Sequence, residues 1–459
     1  MSPRNADSST TLVRLEGAGA DILLPGEGAS FHEYVARLRE SGVFRDGGLL
    51  HSLASVPLAA PLGRAAATRL IRGHKDATVW SLQAALNRLA QRESAPELGA
   101  GKTDGYFGEK TEAAVRVFQA RTGLILDGIA GPQTLGALED TLVRHGITAL
   151  KLRGAAHPRI GIIALEPGKL MPGDGEIQSF IDLATRTGCR AALVPPCADV
   201  LVKGGASERD AAIAAMVARL DGVLGLGGDD VDPAIYGEEN RYARGTNYRR
   251  DRFEADLALA AMGELAFLFG ICRSHQLWNA AAGGTLVQDL VKEGYSHLSQ
   301  SQVDYRFDGH DPFVVRRPDG RLDFENKVVL SAGCALSKVL DGARLILTNS
   351  YHHQAVDAPG KGFVAVGTVF DKVTKRHTIE AAERWNVITT QFHPEGMLRD
   401  NRQRELLETL GRRAMIFRML DTGARGVSDL LERMAQLPDG TFDGSDLDWV
   451  REDLARHLG

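Results

Sequence analysis

Two residues of this 459-residue chain, Cys272 and His393, have the types and surroundings that acyl chemistry needs. A cysteine thiolate attacks a carbonyl, and an imidazole can take up the thiol proton and hand it to a departing amine. Cys272 lies in Phe267-Leu268-Phe269-Gly270-Ile271-Cys272-Arg273-Ser274-His275-Gln276, where an apolar run from Leu265 to Phe269 breaks at Gly270 and turns helical through Leu277 to Ala282. A cysteine on such a strand-to-helix turn stands above the carboxyl end of a sheet. The free N–H groups and positive end of the helix dipole favour its thiolate. A cysteine after a strand is, taken alone, at least as readily a buried structural residue.

Three other segments supply what a nucleophile requires. Thr389-Thr390-Gln391-Phe392-His393-Pro394-Glu395 ends an apolar strand in a histidine with a carboxylate two residues on. Glu395 on the second imidazole nitrogen would fix tautomer and orientation, and Pro394 stiffens the turn that carries both. Gly225-Leu226-Gly227-Gly228-Asp229-Asp230-Val231-Asp232-Pro233 is a glycine-rich turn after a strand, able to bring backbone N–H groups close to a developing oxyanion. Asn349-Ser350-Tyr351-His352-His353-Gln354 ends another strand and is a candidate pocket wall. Adjacent histidines point apart and no further ligand set accompanies them, so no metal site and no cofactor is expected.

The elements that must position these residues follow an alternating pattern from Pro158 onward. Strands are expected at Ile160–Leu165, Ala191–Val194, Gly222–Leu226, Ala266–Phe269, Leu345–Thr348, Val364–Val369 and Val387–Phe392, with helices at Ile177–Thr187 and Ala206–Leu220 between them. This is an α/β pattern with a doubly wound, mostly parallel sheet. The chain beyond about residue 403 is helical and charged, and Asp446–Leu458 reads as a separate amphipathic helix for docking or oligomerisation. Residues 1–70 show no chemistry, and 53–67 form a loosely apolar connector.

Between 71 and 142, Val79, Leu82, Ala85, Leu86 and Leu89 give one apolar helix face. The block Asp-Gly-x-x-Gly-x-x-Thr then occurs twice, at Asp104–Thr111 and Asp127–Thr134. Each is a turn that needs glycine and opens into a helix. With Val115-x-x-Phe118-Gln119 between them, these blocks resemble the small three-helix peptidoglycan-binding-like domain, which implies a cell-wall peptide or protein partner. A helical spacer or oligomerisation module is the alternative.

A net charge of −5 argues against nucleic acid or an anionic membrane as partner. Four cysteines without C-x-x-C spacing fit a reducing compartment, and the polar first residues lack the order of a secretory signal. A cytoplasmic homo-oligomer without membrane spans is expected.

The α/β segments together resemble the class I glutamine amidotransferase superfamily, and more narrowly its gamma-glutamyl-GABA hydrolase-like branch. The motifs are Gly227-Gly228-x-Asp230-Val231-x-Pro233-x-x-Tyr236-Gly237, Arg250-Asp251-x-Phe253-Glu254, Gly270-Ile271-Cys272-Arg273, Gln276, Asn279, Gly283-Gly284-Thr285-Leu286, Gln288-Asp289, Ser350-x-His352-His353-Gln354 and His393-Pro394-Glu395. The resemblance implies a flavodoxin-like domain over 155–420, preceded by the helical domain at 71–142 and followed by a helical tail at 421–459. It implies Cys272 as nucleophile, His393 as general base and acid, and Glu395 as its orienter. The backbone N–H groups of Gly228 and Arg273 would form the oxyanion hole, and Gly227, Gln276, Ser350, His352 and His353 would bind substrate. The implied reaction hydrolyses the gamma-glutamyl amide of a small compound through a thioester, with the leaving amine set by loops such as 236–250 and 291–325. Alternatives are a glutaminase subunit feeding a separate synthetase, or a slow domain repurposed for binding. The last draws on one departure: the family elbow reads Gly-x-Cys-x-Gly, whereas here Ser274 holds the final position and His275 follows. Ser274 is expected to crowd the neighbouring strand and to threaten the Arg273 N–H.

Overall fold

The computed structural model describes residues 10–14, 20–26, 29, 33–34, 36–37, 70–75, 77–131, 134–135, 137–138, 141–142, 157–163, 175–195, 205–264, 266–296, 314–316, 322–324, 326–398, 400–421, 424, 426–437 and 441–458. The connector expected over 53–67 and most of loop 291–325 lie outside the described residues.

The strands are β1 (Thr10–Arg14), β2 (Ala20–Pro25), β3 (Arg159–Ile163), β4 (Arg190–Leu193), β5 (Gly222–Gly225), β6 (Phe267–Ile271), β7 (Thr285–Val287), β8 (Val314–Arg316), β9 (Leu322–Phe324), β10 (Asn326–Leu330), β11 (Leu345–Thr348), β12 (Ala355–Ala358), β13 (Val364–Phe370), β14 (His377–Arg384) and β15 (Val387–Thr390). Strands β8 and β9 form their own hairpin, and the main sheet runs β1-β2-β4-β3-β5-β6-β15-β14-β13-β10-β11, with β12 joining β14 to β7. Its centre, β2-β4-β3-β5-β6-β15, is parallel throughout. The flanks are antiparallel. Central strands such as β5 and β6 are apolar along their whole length because helices cover both faces.

The helices used below are α1 (Ala77–Arg92), α2 (Glu109–Thr122), α3 (Gly175–Arg186), α4 (Ala206–Val217), α5 (Tyr248–Gly263), α6 (Arg273–Ala281), α7 (Asn401–Asp421), α8 (Val427–Ala435) and α9 (Gly444–Trp449). One apolar cluster joins α3 and α7 to one face of the sheet, and a second joins α4, α5 and α6 to the other. Doubly wound packing is therefore present.

Two segments that the sequence did not tie to the sheet belong to this unit. Strands β1 and β2 extend the sheet, with Ala20, Asp21 and Ile22 of β2 registered against Ala191, Ala192 and Leu193 of β4. Asp21 on β2 also pairs with Arg190 at 2.8 Å. The C-terminal segment is part of the core as well: the buried Trp449 meets Phe267 and Phe417 edge-on. Arg413 of α7 lies 4.8 Å from the ring centres of both Phe267 and Trp449. The apolar side of Asp446–Leu458, formed by Trp449, Val450 and Leu454, is thus covered by the chain's own core, while Arg451, Glu452, Arg456 and His457 are exposed.

In the helical module each Asp-Gly block is held by one glutamine. Gln83 of α1 donates to Asp104 Oδ1 (3.0 Å) and Thr111 Oγ1 (3.0 Å), and its Oε1 accepts from the Gly105 N–H (2.9 Å). Gln119 of α2 repeats this on Asp127 (2.8 Å), Thr134 (3.1 Å) and the Gly128 N–H (2.9 Å). Gly105 and Gly128 sit at φ +72° and +73°, where a side chain would be strained. The module docks through Trp80 of α1, which shares an apolar cluster with Met415 and Leu437. Lys75–Asp182 (2.5 Å) and the Arg88 bond to the Leu437 carbonyl (2.9 Å) flank this contact. A Cβ on Gly188 would lie 2.9 Å from the Trp80 ring, and Gly188 stands two residues before the start of β4. The module thus sits at the amino-terminal edge of the parallel strands.

Candidate active site

Cys272 follows the last residue of β6 and precedes the first of α6, at the carboxyl edge of the sheet. Its backbone is at φ +49°, ψ −102°. For a non-glycine residue that conformation costs about 1–3 kcal/mol and persists only where the surroundings hold it. Here the Cys272 N–H donates to Thr390 O (2.7 Å) on β15, and its carbonyl accepts from Gln276 N (3.2 Å). The start of α6 lies close on the sheet because β5 and β6 present glycines beneath it. A Cβ on Gly225 would stand 2.5 Å from Trp278, and one on Gly270 would stand 2.9 Å from the same ring.

His393 leaves β15 and enters the same space. Its Nδ1 pairs with Glu395 Oε1 at 2.6 Å. Its main chain is bracketed by Asn349, which donates to His393 O and accepts from His393 N, both at 2.8 Å. Tyr351 packs edge-on to the ring at 5.4 Å. A Cβ on Gly227 would lie 3.0 Å from His393 Cε1, 3.8 Å from Nε2 and 3.7 Å from Cys272 Cβ. Cysteine, imidazole and the glycine turn therefore meet at one point. Burial works against charge on the imidazole, but the Cys272 sulfur and then the Glu395 carboxylate outweigh it and hold His393 well above its ordinary range.

Gly228 faces the Arg273 side chain: a Cβ there would be 3.1 Å from Arg273 Cδ and 3.1 Å from Arg250 Nη2. Arg273 is buried and pairs with Asp251 and Glu254, and Arg250 meets Glu254 at 2.8 Å. This explains the Arg250-Asp251-x-Phe253-Glu254 spacing. All three charged residues come from the first turns of α5, and they lock the guanidinium behind the glycine turn. Burial pushes both carboxyls up. Glu254, between two guanidiniums, nevertheless ends below its usual range, whereas Asp251, paired mainly with Arg273, stays raised.

The crowding expected at Ser274 does not occur. Its Oγ and Cβ fill the space Gly225 leaves empty, at 2.5 and 2.6 Å from where a Cβ would be, and the hydroxyl donates to Leu226 O at 2.8 Å. His275 is fully buried, its Nδ1 2.8 Å from Thr389 Oγ1 and its Nε2 3.1 Å from Ile379 O. Burial drives its pKa down to about 3, so it is a neutral strut between α6 and the sheet.

Of the expected substrate contacts, Gly227 borders the Cys272–His393 gap, and Ser350 follows Asn349 on the loop that brackets His393. The other three are engaged with protein. Gln276 Nε2 donates to Gln354 O (2.8 Å) and Gln391 Oε1 (3.0 Å). His352 Nδ1 meets Gln354 O at 2.8 Å, deep in the fold, and burial lowers its pKa to about 4. His353 Nε2 lies 2.8 Å from both Asp230 oxygens, and its Nδ1 is 3.3 Å from Asp289. Two further neighbours escape sequence reasoning: Gln391, whose Nε2 is 3.5 Å from Cys272 Sγ, and Asn349. Both lie within the stretches that carry His393 and His353, and a polar side chain at a strand's carboxyl end was their signal.

The family model described as peptidase C26 matches residues 193–395, and the one described as "putative peptidoglycan binding domain" matches 75–138. Among relatives, the chain is 30% identical over 191 residues to a "putative glutamine amidotransferase-like protein", a YvdE homolog of Lactococcus lactis subsp. cremoris, covering 41% of this chain and 85% of that one. It is 29% identical over 219 residues to the YvdE protein of Lactococcus lactis subsp. lactis, covering 48% and 79%. It is also similar to a "putative glutamine amidotransferase" of Mycobacterium tuberculosis, 28% identical over 264 residues, covering 54% and 73%. The solved glutaminase domain of Trypanosoma brucei CTPS with bound acivicin aligns at a TM-score of 0.36 and 14% identity, covering 55% of this chain and 93% of that one, too slight a likeness to bear on function.

Proposed function

The chain belongs to the peptidase C26 family of class I glutamine amidotransferase-like proteins, and from that premise we propose that it cleaves the gamma-glutamyl amide bond of a small compound and releases glutamate. At the level of the family it is a cysteine-dependent hydrolase of C–N bonds. The observation that carries the finer reading is the meeting of Cys272 and His393 across Gly227, with Glu395 on the far imidazole nitrogen.

In the proposed reaction Cys272 Sγ adds to the side-chain carbonyl carbon of the glutamyl group. The C=O π electrons move to oxygen, which meets the backbone N–H groups of Gly228 and Arg273. His393 gives its Nε2 proton to the amine, the C–N bond breaks, and a gamma-glutamyl thioester remains. His393 then takes a proton from water as the water attacks the thioester, glutamate departs, and the sulfur returns as thiolate. Glu395 keeps Nδ1 protonated and Nε2 aimed at the sulfur throughout. Gly227 and Ser350 border the glutamyl group. Gln276, His352 and His353 act from behind, by holding Gln391, Gln354 and the Asp230 turn.

The helical module sits at the opposite edge of the sheet from Cys272, so it does not hand its own ligand to the nucleophile. A wall peptide bound there would anchor the enzyme and leave the substrate site free. The test is glutamate release from gamma-glutamyl-GABA, glutamine and gamma-D-glutamyl peptides by the full chain and by Cys272→Ala. Release lost in the variant supports the reading. No release from any of the three overturns it.

A further inference from the structure

The hydroxyl that replaces a glycine beside the nucleophile has a job. We propose that Ser274 is a positioning residue for the oxyanion turn, tying the nucleophile helix to the glycine pair that follows β5; this rests on the reading of Gly228 as an oxyanion donor.

Ser274 is fully buried, and its Oγ donates to Leu226 O at 2.8 Å. Leu226 is the last residue before Gly227-Gly228. In a trans peptide the C=O and the following N–H point in opposite directions. Holding the Leu226 carbonyl toward α6 therefore sets the plane of the Leu226–Gly227 peptide, and the Gly228 N–H lies in the next peptide plane, only the φ and ψ of Gly227 away. Two consecutive glycines have the widest backbone freedom of any dipeptide, so a turn built of them needs an external anchor. Side chains at either glycine would crowd the site, because a Cβ on Gly227 would lie 3.0 Å from His393 and one on Gly228 would lie 3.1 Å from Arg273. Ser274 supplies the anchor from the one element whose position is already tied to the sulfur.

The fit is reciprocal. Gly225, one residue before Leu226, leaves open the volume that Ser274 Oγ and Cβ occupy. Had Ser274 been merely tolerated, its hydroxyl would need only some acceptor. It bonds instead to the residue that leads into the turn. Serine here keeps the close helix packing and adds to it a hydrogen bond to the same strand end.

The reaction offers a way to separate this role from support of the fold. Adding the Cys272 sulfur to a carbonyl carbon makes a C–S bond and moves the π pair onto oxygen, so it needs the oxyanion turn. Alkylation by iodoacetamide displaces iodide directly, creates no oxyanion, and needs only the thiolate. Propanal, a simple aldehyde, adds reversibly to the sulfur whatever amide the enzyme prefers.

The experiment uses the full-length protein, Ser274→Ala and Ser274→Gly. It measures glutamate release from gamma-glutamyl-GABA, carboxamidomethylation of Cys272 followed by peptide mass spectrometry, and protection of Cys272 by propanal. Both variants should lose kcat and propanal affinity by about five- to twentyfold with little change in KM, short of the roughly 10²–10³ that follows loss of a whole oxyanion donor. Their iodoacetamide rates should match the wild type. Unchanged kcat and propanal affinity, or a faster Ser274→Gly enzyme, would overturn the inference. So would an iodoacetamide rate that falls in step with kcat, since Ser274 would then be supporting the sulfur. A wild-type protein that releases no glutamate but shows Ser274-dependent propanal protection would sink the gamma-glutamyl reading and sustain this one.

Discussion

Replacing Glu254 by glutamine should destabilise the protein and slow it together, for one physical reason. Arg250, Asp251, Glu254 and Arg273 are each 3% exposed or less, and their charges sum to zero. Glu254→Gln leaves two guanidiniums facing one carboxylate in a dry site. Breaking a buried pair in this way costs about 3–5 kcal/mol, because the surviving charge is left without a partner or water. At roughly 2 °C per kcal/mol for a domain of this size, Tm should fall by about 6–10 °C. Catalysis should fall as well, because Arg273 Cδ packs against Gly228. The assay is differential scanning calorimetry beside glutamate release, extended to a double-mutant cycle with Arg250→Met. Arg250 meets Glu254 at 2.8 Å, so the double variant returns the site to neutrality with Arg273 and Asp251 still paired. It should lose at least about 2 kcal/mol less than the sum of the two single losses. A Glu254→Gln protein that melts within about 1 °C of the wild type, or strictly additive losses, would refute the reasoning.

Three further outcomes follow from the same geometry. Gly227→Ala pushes a methyl to 3.0 Å from His393 Cε1; kcat should drop by about 10–100-fold with Tm nearly unchanged, as expected for a small misplacement of the base, and full activity would count against the turn's closeness. Glu395→Gln removes a charge that raises His393; the imidazolium should then be lost at lower pH, so the alkaline limb of kcat/KM should move down in a pH–rate profile, and an unmoved limb would exclude the pairing. His275 and His352 are held neutral by burial, with pKa values of about 3 and about 4. Below their ordinary range only the unfolded chain takes up these protons, so stability is full above about pH 6.5 and falls toward pH 4 by roughly 1.4 kcal/mol per pH unit for each histidine. Urea midpoints measured from pH 7 to 5 should show a shallower fall in His275→Gln, and parallel curves would contradict the assignment.

The meeting of Cys272, the glycine turn and His393 was legible because the segments that carry them are local patterns. The break of an apolar run at Gly270–Cys272, the glycine pair after Leu226 and the His393-Pro394-Glu395 strand end each announce a turn at the carboxyl edge of a sheet, and one edge gathers all three. The partners across the fold were not legible. Nothing in Ser274 itself says that Gly225 would vacate the space facing it, and nothing in Arg273 names Glu254 as its counter-ion. Those are agreements between strand and helix residues far apart in sequence. Strands β1 and β2 were missed for a related reason: they pair with each other and then with β4, more than 160 residues downstream, so Ala20–Pro25 becomes a strand only when Arg190–Leu193 is beside it. The C-terminal amphipathic face was read correctly as apolar but assigned an outside partner. Trp449 finds its partners in Phe267 and Phe417 of the same chain.

The most direct test of the central claim is acid-quenched mass spectrometry of the full-length protein mixed with gamma-glutamyl-GABA. The account expects a glutamyl adduct confined to the peptide that carries Cys272, released as a thioester by hydroxylamine and absent from Cys272→Ala. Glutamate release with no adduct on Cys272, or with undiminished rate in Cys272→Ala, would contradict it.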